Sequence, residues 1–190
     1  MKSNSLFLAL AVAGGLFSGL THAAPVTGTN QLQAIFTTEI LPGTCNTQVT
    51  DADGPTSTID FGDLYKNEVG TRTESFNIAL TECAGVLTTT VAAQPGAGNT
   101  CSGDSYATTG ATNTAVEIWE TAADSGTQLA CQTGNPSNVL THSFGSKNMN
   151  QSYTYPLVAR WVVANGKTAA DITTGEATSL ITFLGHLPVM

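Results

Sequence analysis

The chain carries little charge, and basic residues are especially scarce. Of its 190 residues, six are Lys or Arg and fourteen are Asp or Glu. The basic residues are scattered along the sequence, whereas a protein that binds nucleic-acid phosphates needs them clustered. The composition therefore argues against nucleic acid as a partner, and a weakly acidic, solvated surface is the simpler interpretation.

Groups suited to acid–base or nucleophilic catalysis are almost absent. Outside the N-terminal segment the histidines are His142 and His186, and neither accompanies a Ser or Cys nucleophile motif. Residues 51–54 begin like a calcium loop, but the later ligand positions are not filled, so a hairpin turn explains them better. Trp119 and Trp161 are suited to stacking on a sugar, although core or half-buried strand positions explain them more simply. We predict a protein that is not an enzyme and has no catalytic residue, cofactor or metal site.

The chain has one long apolar run, and it lies at the N-terminus. Lys2 precedes an apolar stretch over residues 6–16, and the small-residue pattern of residues 21–23 follows it. This arrangement predicts a secretory signal over residues 1–23. A membrane anchor is the alternative, but the stretch is shorter than the roughly 20 residues that a span requires. We therefore expect an exported, soluble mature chain.

The four cysteines of an exported chain predict two disulfide bonds. Metal binding is the alternative, but no two cysteines have the two-residue spacing of a zinc knuckle. The sequence permits three pairings. We adopt the pairing of neighbours, Cys45 with Cys83 and Cys101 with Cys131.

Short β-prone runs bounded by turn residues recur along the chain, and helical periodicity is hard to find. This pattern is typical of an all-β sandwich or barrel. The predicted strands cover residues 31–41, 57–64, 74–82, 86–93, 115–121, 128–132, 139–144, 153–164 and 177–184. Residues 96–113 contain few apolar side chains and are interpreted as a surface loop that is anchored by Cys101. Neither a repeat nor a linker divides the mature chain, so we expect one domain.

The segment after the signal alternates in the manner of a strand. Every second residue faces one side of such a strand, and these residues are Val26, Gly28, Asn30, Leu32, Ala34, Phe36, Thr38 and Ile40. The run is longer than the five or six residues that a strand usually holds. We interpret the surplus as a strand offered to another molecule, and an unstructured terminus is the alternative.

Four blocks of sequence, two of them framed by cysteines, carry a family resemblance. The blocks are FTTEI (36–40) leading to Cys45, TIDFGDL (58–64), SFNIALTEC (75–83) and YPLVARW (155–161), with a fainter match at 112–119. In order and spacing they resemble the chaperone–usher fimbrial subunits, the type 1-like pilins of Gram-negative bacteria. The resemblance covers nearly the whole mature chain. It implies an incomplete immunoglobulin-like sandwich that lacks its final strand.

The resemblance also implies how such a subunit is completed. A periplasmic chaperone lends a strand first, and the N-terminal arm of the next subunit then replaces it. Residues 24–33 are expected to be this donor arm, and residues 34–190 the pilin domain. Val26, Asn30 and Leu32 are expected to face the neighbour's groove, with Gly28 where only backbone fits. The head-to-tail contact does not close and so produces a filament on the cell surface.

The resemblance further implies roles for the cysteines and the C-terminus. Cys45 and Cys83 match the family's disulfide positions, whereas the second cysteine pair does not belong to the common pattern. The C-terminal strand is expected to contact the chaperone through Ala177, Ser179, Ile181 and Phe183. Ser179 stands where the family has a large apolar residue, and seven residues follow Phe183, so the chain departs from the usual C-terminal register.

The expected function is that of a structural subunit of a surface fimbria that supports adhesion. The expected partners are other pilin subunits, the periplasmic chaperone, an outer-membrane usher and, as a further candidate, a host receptor. The alternative is a minor tip or adhesive pilin that itself binds a host glycan or protein receptor, with residues 101–113 as the candidate surface. Tip adhesins of the family commonly carry an extra lectin domain and lack a donor arm.

Overall fold

The computed structural model describes residues 43–145 and 150–187. Within these ranges there are nine β-strands and one short 3-10 helix, Ala169–Asp171. The strands are β1 (Thr44–Thr50), β2 (Thr73–Ala84), β3 (Thr88–Pro95), β4 (Cys101–Ser102), β5 (Ser105–Ala107), β6 (Thr114–Glu120), β7 (Val139–Ser143), β8 (Gln151–Val163) and β9 (Ile181–His186). The predicted signal, donor arm and first strand lie outside the described residues.

The strands form two antiparallel sheets. Sheet A has six strands in the order β1-β2-β8-β6-β5-β4, and sheet B has three in the order β7-β3-β9. Sheets that face each other across a shared core make a sandwich. The all-β, immunoglobulin-like fold predicted from the sequence is confirmed. No helix among the described residues has the length and apolar character needed to cross a membrane.

The core lies between the sheets and depends most on β2 and β8. On β2, Phe76, Ile78 and Leu80 are each at most 4% exposed, and the cross-strand partners of the first two, Leu157 and Tyr155, are 1% exposed. Alternate residues of a strand share a face, so the period-two pattern of this segment places its apolar side chains inward. Burying one such side chain contributes about 1.5–3 kcal/mol.

Tyr155 on β8 and Thr89 on β3 are hydrogen-bonded in the buried space between the two sheets. The Tyr155 hydroxyl donates to the Thr89 carbonyl at 3.0 Å and lies 2.9 Å from the Thr89 hydroxyl. Because a tyrosine hydroxyl has a single proton, Thr89 is the donor in the second contact. Burial raises the pKa of Tyr155, since it disfavours the phenolate.

Pro156 lies inside β8, although a proline cannot donate to a ladder and is usually confined to an edge strand, a strand start or a bulge. The β6–β8 pairing ends at Glu120 and Leu157. The Pro156 carbonyl accepts from the Thr121 backbone N–H at 2.9 Å and therefore points towards the β6 side. In an antiparallel strand the nitrogen of a residue points the same way as its carbonyl, so the missing N–H of Pro156 falls just past the end of β6. The position is a local edge.

Three strand or loop predictions are corrected. Residues 57–64 are not a strand, because the backbone N–H of Gly62 donates to the Asp60 carboxylate at 2.7 Å and Gly62 adopts a φ of +55°. Residues 128–132 form only an isolated bridge, between Gln128 and Trp119. The predicted loop over residues 96–113 contains the hairpin β4–β5.

Both disulfides join cysteines that are neighbours in the sequence. Cys45 is bonded to Cys83 across a separation of 38 residues, and Cys101 to Cys131 across 30. On the chain-entropy model each closure stabilises the fold by about 3–4 kcal/mol. The first bond holds the start of β1 on the end of β2, and the second holds the β4–β5 hairpin on the segment that follows β6.

Candidate functional site

An open groove runs between the edges of the two sheets. Strand β1 is one of the two edge strands of sheet A, and β9 is one of the two edge strands of sheet B. Within the described residues β9 is paired with β3 only, and β1 is paired with β2. The far end of β1 is also bonded on its other side, where the Thr56 N–H donates to the Val49 carbonyl at 3.0 Å, so the free edge of β1 is the part before Val49. An edge strand presents unpaired backbone N–H and C=O groups on its free side. The two free edges therefore form the walls of a site that an extended chain could occupy.

The groove encloses a cavity of about 120 Å³ with an apolar floor. Its lining residues are Thr47, Gln48, Val49, Ile78, Val91, Phe183 and Gly185. None of them is charged. An engineered apolar cavity of about 150 Å³ admits benzene, so this cavity has room for about one apolar side chain.

Gly185 opens the groove, because it places no side chain on the inner face of β9. It pairs with Val91, whose side chain is 1% exposed and belongs to the core. A Cβ built on Gly185 would lie 3.9 Å from the Thr47 methyl group across the groove. The cavity is therefore bounded by β1 on one side and β9 on the other.

The predicted C-terminal contact residues divide into two groups. Ile181 and Phe183 lie on β9, are half-buried and pack against the core, where the ring of Phe183 lies 5.8 Å from that of Phe76. Ala177 and Ser179 precede β9 and show the same alternation, half-buried between exposed neighbours. The four side chains thus share a face, but only the last two belong to the strand that borders the cavity.

The donor-arm residues Val26, Gly28, Asn30 and Leu32 lie outside the described residues. The opposite wall, Thr47–Val49 on β1, was not predicted from the sequence. Those residues show no apolar alternation, and the strand takes its place through its pairing with β2 and through Cys45. The disulfide is the one sequence signal that could have located this wall beside β2.

Charged side chains cluster away from the groove, on the outer face of sheet A. Arg160 donates to Asp124 at 2.5 and 2.7 Å and to Glu117 at 2.6 Å, and its guanidinium lies 6.0 Å from the ring centroid of Trp119. The hydrogen bond to Asp124, followed by the one to Glu117, raises the pKa of Arg160, and the same contact lowers the pKa of Asp124. This cluster fastens the turn after β6 to the sheet and presents no free cation to a ligand.

No group of three or more His, Cys, Asp or Glu side chains within residues 43–145 and 150–187 is placed to hold a metal ion. The buried tyrosine Tyr106 donates its hydroxyl to the Leu129 carbonyl at 2.9 Å, and burial raises its pKa. The Tyr106 contact is structural and lies in the interior of the domain. The candidate site is therefore the groove, whose chemistry is apolar contact and backbone hydrogen bonding.

Known proteins resemble this chain in sequence and in fold. No protein-family model matches the chain. The chain is 34% identical over 188 residues to the uncharacterized fimbrial-like protein YadL of Escherichia coli (strain K12), a match that covers 90% of each chain.

Solved pilus structures share the fold at low sequence identity. The P pilus rod subunit PapA has a TM-score of 0.52 at 18% identity, covering 76% of this chain and 99% of that one. A chaperone–usher pilus has a TM-score of 0.53 at 18% identity, covering 87% of this chain and 100% of that one. The identity to YadL extends over nearly the whole of both proteins. The chain therefore belongs to the fimbrial-like proteins, and its fold is that of the subunits of chaperone–usher pili.

Proposed function

We propose that this subunit polymerises by strand donation, with the groove between β1 and β9 as the acceptor and residues 24–33 as the donor arm. The observation that carries the proposal is the pair of free sheet edges facing each other over an apolar floor. An inserted strand would form backbone hydrogen bonds with the edges and place alternate side chains over the floor. Both kinds of contact suit the alternating arm.

The energetics favour a filled groove. Burying Val26 and Leu32 would contribute roughly 3–6 kcal/mol at about 1.5–3 kcal/mol per side chain. Each backbone hydrogen bond adds about 0.5–1.5 kcal/mol net. A domain's whole stability is about 5–15 kcal/mol, so the donated strand would change the stability of the acceptor substantially. A subunit with an empty groove needs a temporary occupant, and a periplasmic chaperone that lends a strand supplies one during export.

The proposal extends to assembly and role. An outer-membrane usher would exchange the chaperone's strand for the arm of the next subunit, and the product would be a head-to-tail filament. We assign this chain a structural place in that filament, in support of adhesion. The apolar floor and uncharged lining of the groove favour a second protein strand as its occupant over a glycan.

The test uses paired substitutions in the arm. Replacing Val26 and Leu32 with Ala should abolish the high-mass ladder that fibres give in unheated detergent gels, leaving chaperone-bound monomer. Replacing Thr27 and Gln31, on the opposite face of the arm, should leave the ladder intact. Boiling should collapse every ladder to monomer, because no covalent bond joins the subunits. An unchanged ladder from the Val26 and Leu32 variant would refute the donor-arm assignment.

A further inference from the structure

The C-terminal extended segment begins before β9, at a point where β3 no longer accompanies it. Strand β3 ends at Pro95, and the Gly96 N–H donates to the Leu180 carbonyl at 2.9 Å as the final contact on that side. Residues 177–180 nevertheless keep the alternation of half-buried and exposed positions that continues into β9. A segment held in this way without a neighbouring strand must take its hydrogen bonds from elsewhere.

The partner is the chain that follows β3, residues 96–109, here named the clasp loop. The Asn99 amide donates to the Leu180 carbonyl at 2.8 Å and to the Ser179 hydroxyl at 3.2 Å. The Ser179 hydroxyl in turn donates to the Ala107 carbonyl at 2.9 Å. These contacts explain a serine at a position where the family resemblance implies a large apolar residue.

A second set of contacts continues the attachment towards the N-terminus of the segment. The Thr109 N–H donates to the Thr178 carbonyl at 2.8 Å, and the two threonine hydroxyls are 2.6 Å apart. Gly110 lies so close that an added Cβ would be 2.6 Å from the Glu176 carbonyl oxygen. The clasp loop and the residue after it therefore accompany the segment from Glu176 to Leu180.

The clasp loop is itself fastened to sheet A. Its Cys101 is bonded to Cys131, and the Cys131 N–H donates to the Asp104 carbonyl at 2.8 Å. Tyr106, which is 0% exposed, pairs with Val116 of β6. The loop thus forms a bridge from sheet A to the segment that leads into β9, the sheet-B wall of the groove.

We propose that the Cys101–Cys131 disulfide and the clasp loop position β9 as a preformed wall of the strand-acceptor groove. This inference rests on the proposed function. In the part of the chain that the structure describes, strand β9 is paired with β3 only, so its free edge can accept a strand only while β9 stays in place. Apparent affinity falls with the fraction of molecules in the competent conformation. Ser179 and Asn99 are positioning residues, because they act on the donor strand through β9.

The test measures how fast a synthetic peptide of residues 24–35 displaces the chaperone from the purified subunit–chaperone complex. Ser179→Ala removes one hydroxyl and should slow displacement about three- to tenfold, a range that follows from the net free energy that one hydrogen bond contributes. Ser179→Thr retains the hydroxyl and should restore the rate. Thr182→Ala, at an exposed position of β9, is the matched control and should leave the rate unchanged. The double variant Cys101→Ser and Cys131→Ser should also slow displacement.

A second readout separates positioning from general stabilisation. The melting temperature of the peptide-filled subunit should change little in Ser179→Ala, because a fully inserted strand holds β9 from its free side. During exchange, by contrast, one strand has left that edge before the other has fully paired, so the displacement rate depends on how well the clasp loop holds β9. Equal displacement rates for wild type, Ser179→Ala and Thr182→Ala would overturn the inference. So would a lowered melting temperature with an unchanged rate. If the wild-type complex does not exchange its chaperone for the peptide, the proposed function fails, and this inference fails with it.

Discussion

Filling the groove from inside should block polymerisation, and Gly185 is the position at which to do it. Gly185 has the extended backbone of β9 and lies outside the left-handed region, so a larger residue meets no backbone strain there. Its nearest neighbour across the groove would lie 3.9 Å from an added Cβ, an ordinary van der Waals distance. Gly185→Leu therefore introduces a side chain into the cavity of about 120 Å³ without a clash at its first atom.

The magnitude follows from the area that the new side chain buries. A fully buried Leu contributes about 1.5–3 kcal/mol, and every 1.4 kcal/mol is tenfold in an equilibrium constant. Because the arm would have to displace this side chain, the affinity of the arm for the groove should fall roughly 10- to 150-fold. Gly185→Ala adds one methyl group and should have a smaller effect in the same direction.

The assay compares fibre ladders from unheated detergent gels at equal subunit expression. Gly185→Leu should reduce the fraction of subunit found in the ladder at least about tenfold. Thr182→Leu adds the same side chain on an exposed position of the same strand, and its ladder should match that of the wild type. Normal polymerisation by Gly185→Leu would show that the cavity beside Gly185 is not on the path of the donor strand, and the groove assignment would have to be abandoned.

Two further predictions concern the stability of the domain itself, measured on the peptide-filled subunit. Tyr106→Phe should lower the free energy of unfolding by about 1–3 kcal/mol, because it leaves the buried Leu129 carbonyl without its hydroxyl donor. Tyr65→Phe, at a side chain that is 67% exposed, should change it little in chemical denaturation, and equal effects of the two substitutions would contradict the reasoning. The pKa of Asp124 is lowered in the folded state by its hydrogen bond from Arg160. The stability it contributes is therefore present above its unfolded pKa and lost as the pH falls through the folded value. Asp124→Asn should make the melting temperature less dependent on pH below about 4, and an unchanged acid profile would show that this contact is not linked to folding.

The strands that the sequence located well are those with one face in the core. The predicted segments 74–82, 115–121 and 153–164 correspond to β2, β6 and β8 with small shifts at their ends. When alternate residues of a strand are buried, apolar residues recur at every second position. This pattern is visible in the sequence whichever strands pair with the segment. The turn over residues 51–54 was likewise predictable, since the Asp51 carboxylate accepts from the N–H groups of Asp53 and Gly54.

The strand predicted over residues 57–64 is wrong because burial alone does not make a strand. Phe61 is 8% exposed, and it reaches the core by an edge-to-face contact with Trp161 at 6.0 Å. Its backbone is held by a side-chain turn instead of a ladder. In the sequence, the apolar residues of such a segment look like one face of a strand. Only the tertiary structure shows that the backbone is not paired with a neighbouring strand.

The sequence by itself determined the class of the molecule, because its cysteine number, its period-two segments and its family blocks are local properties of the chain. It also determined which face of the C-terminal segment turns inward. The tertiary structure alone decided that β1, a strand without an apolar pattern, lies opposite β9, and that the clasp loop reaches Ser179. Those contacts join residues distant along the chain, and their partners are chosen by the packing of the two sheets.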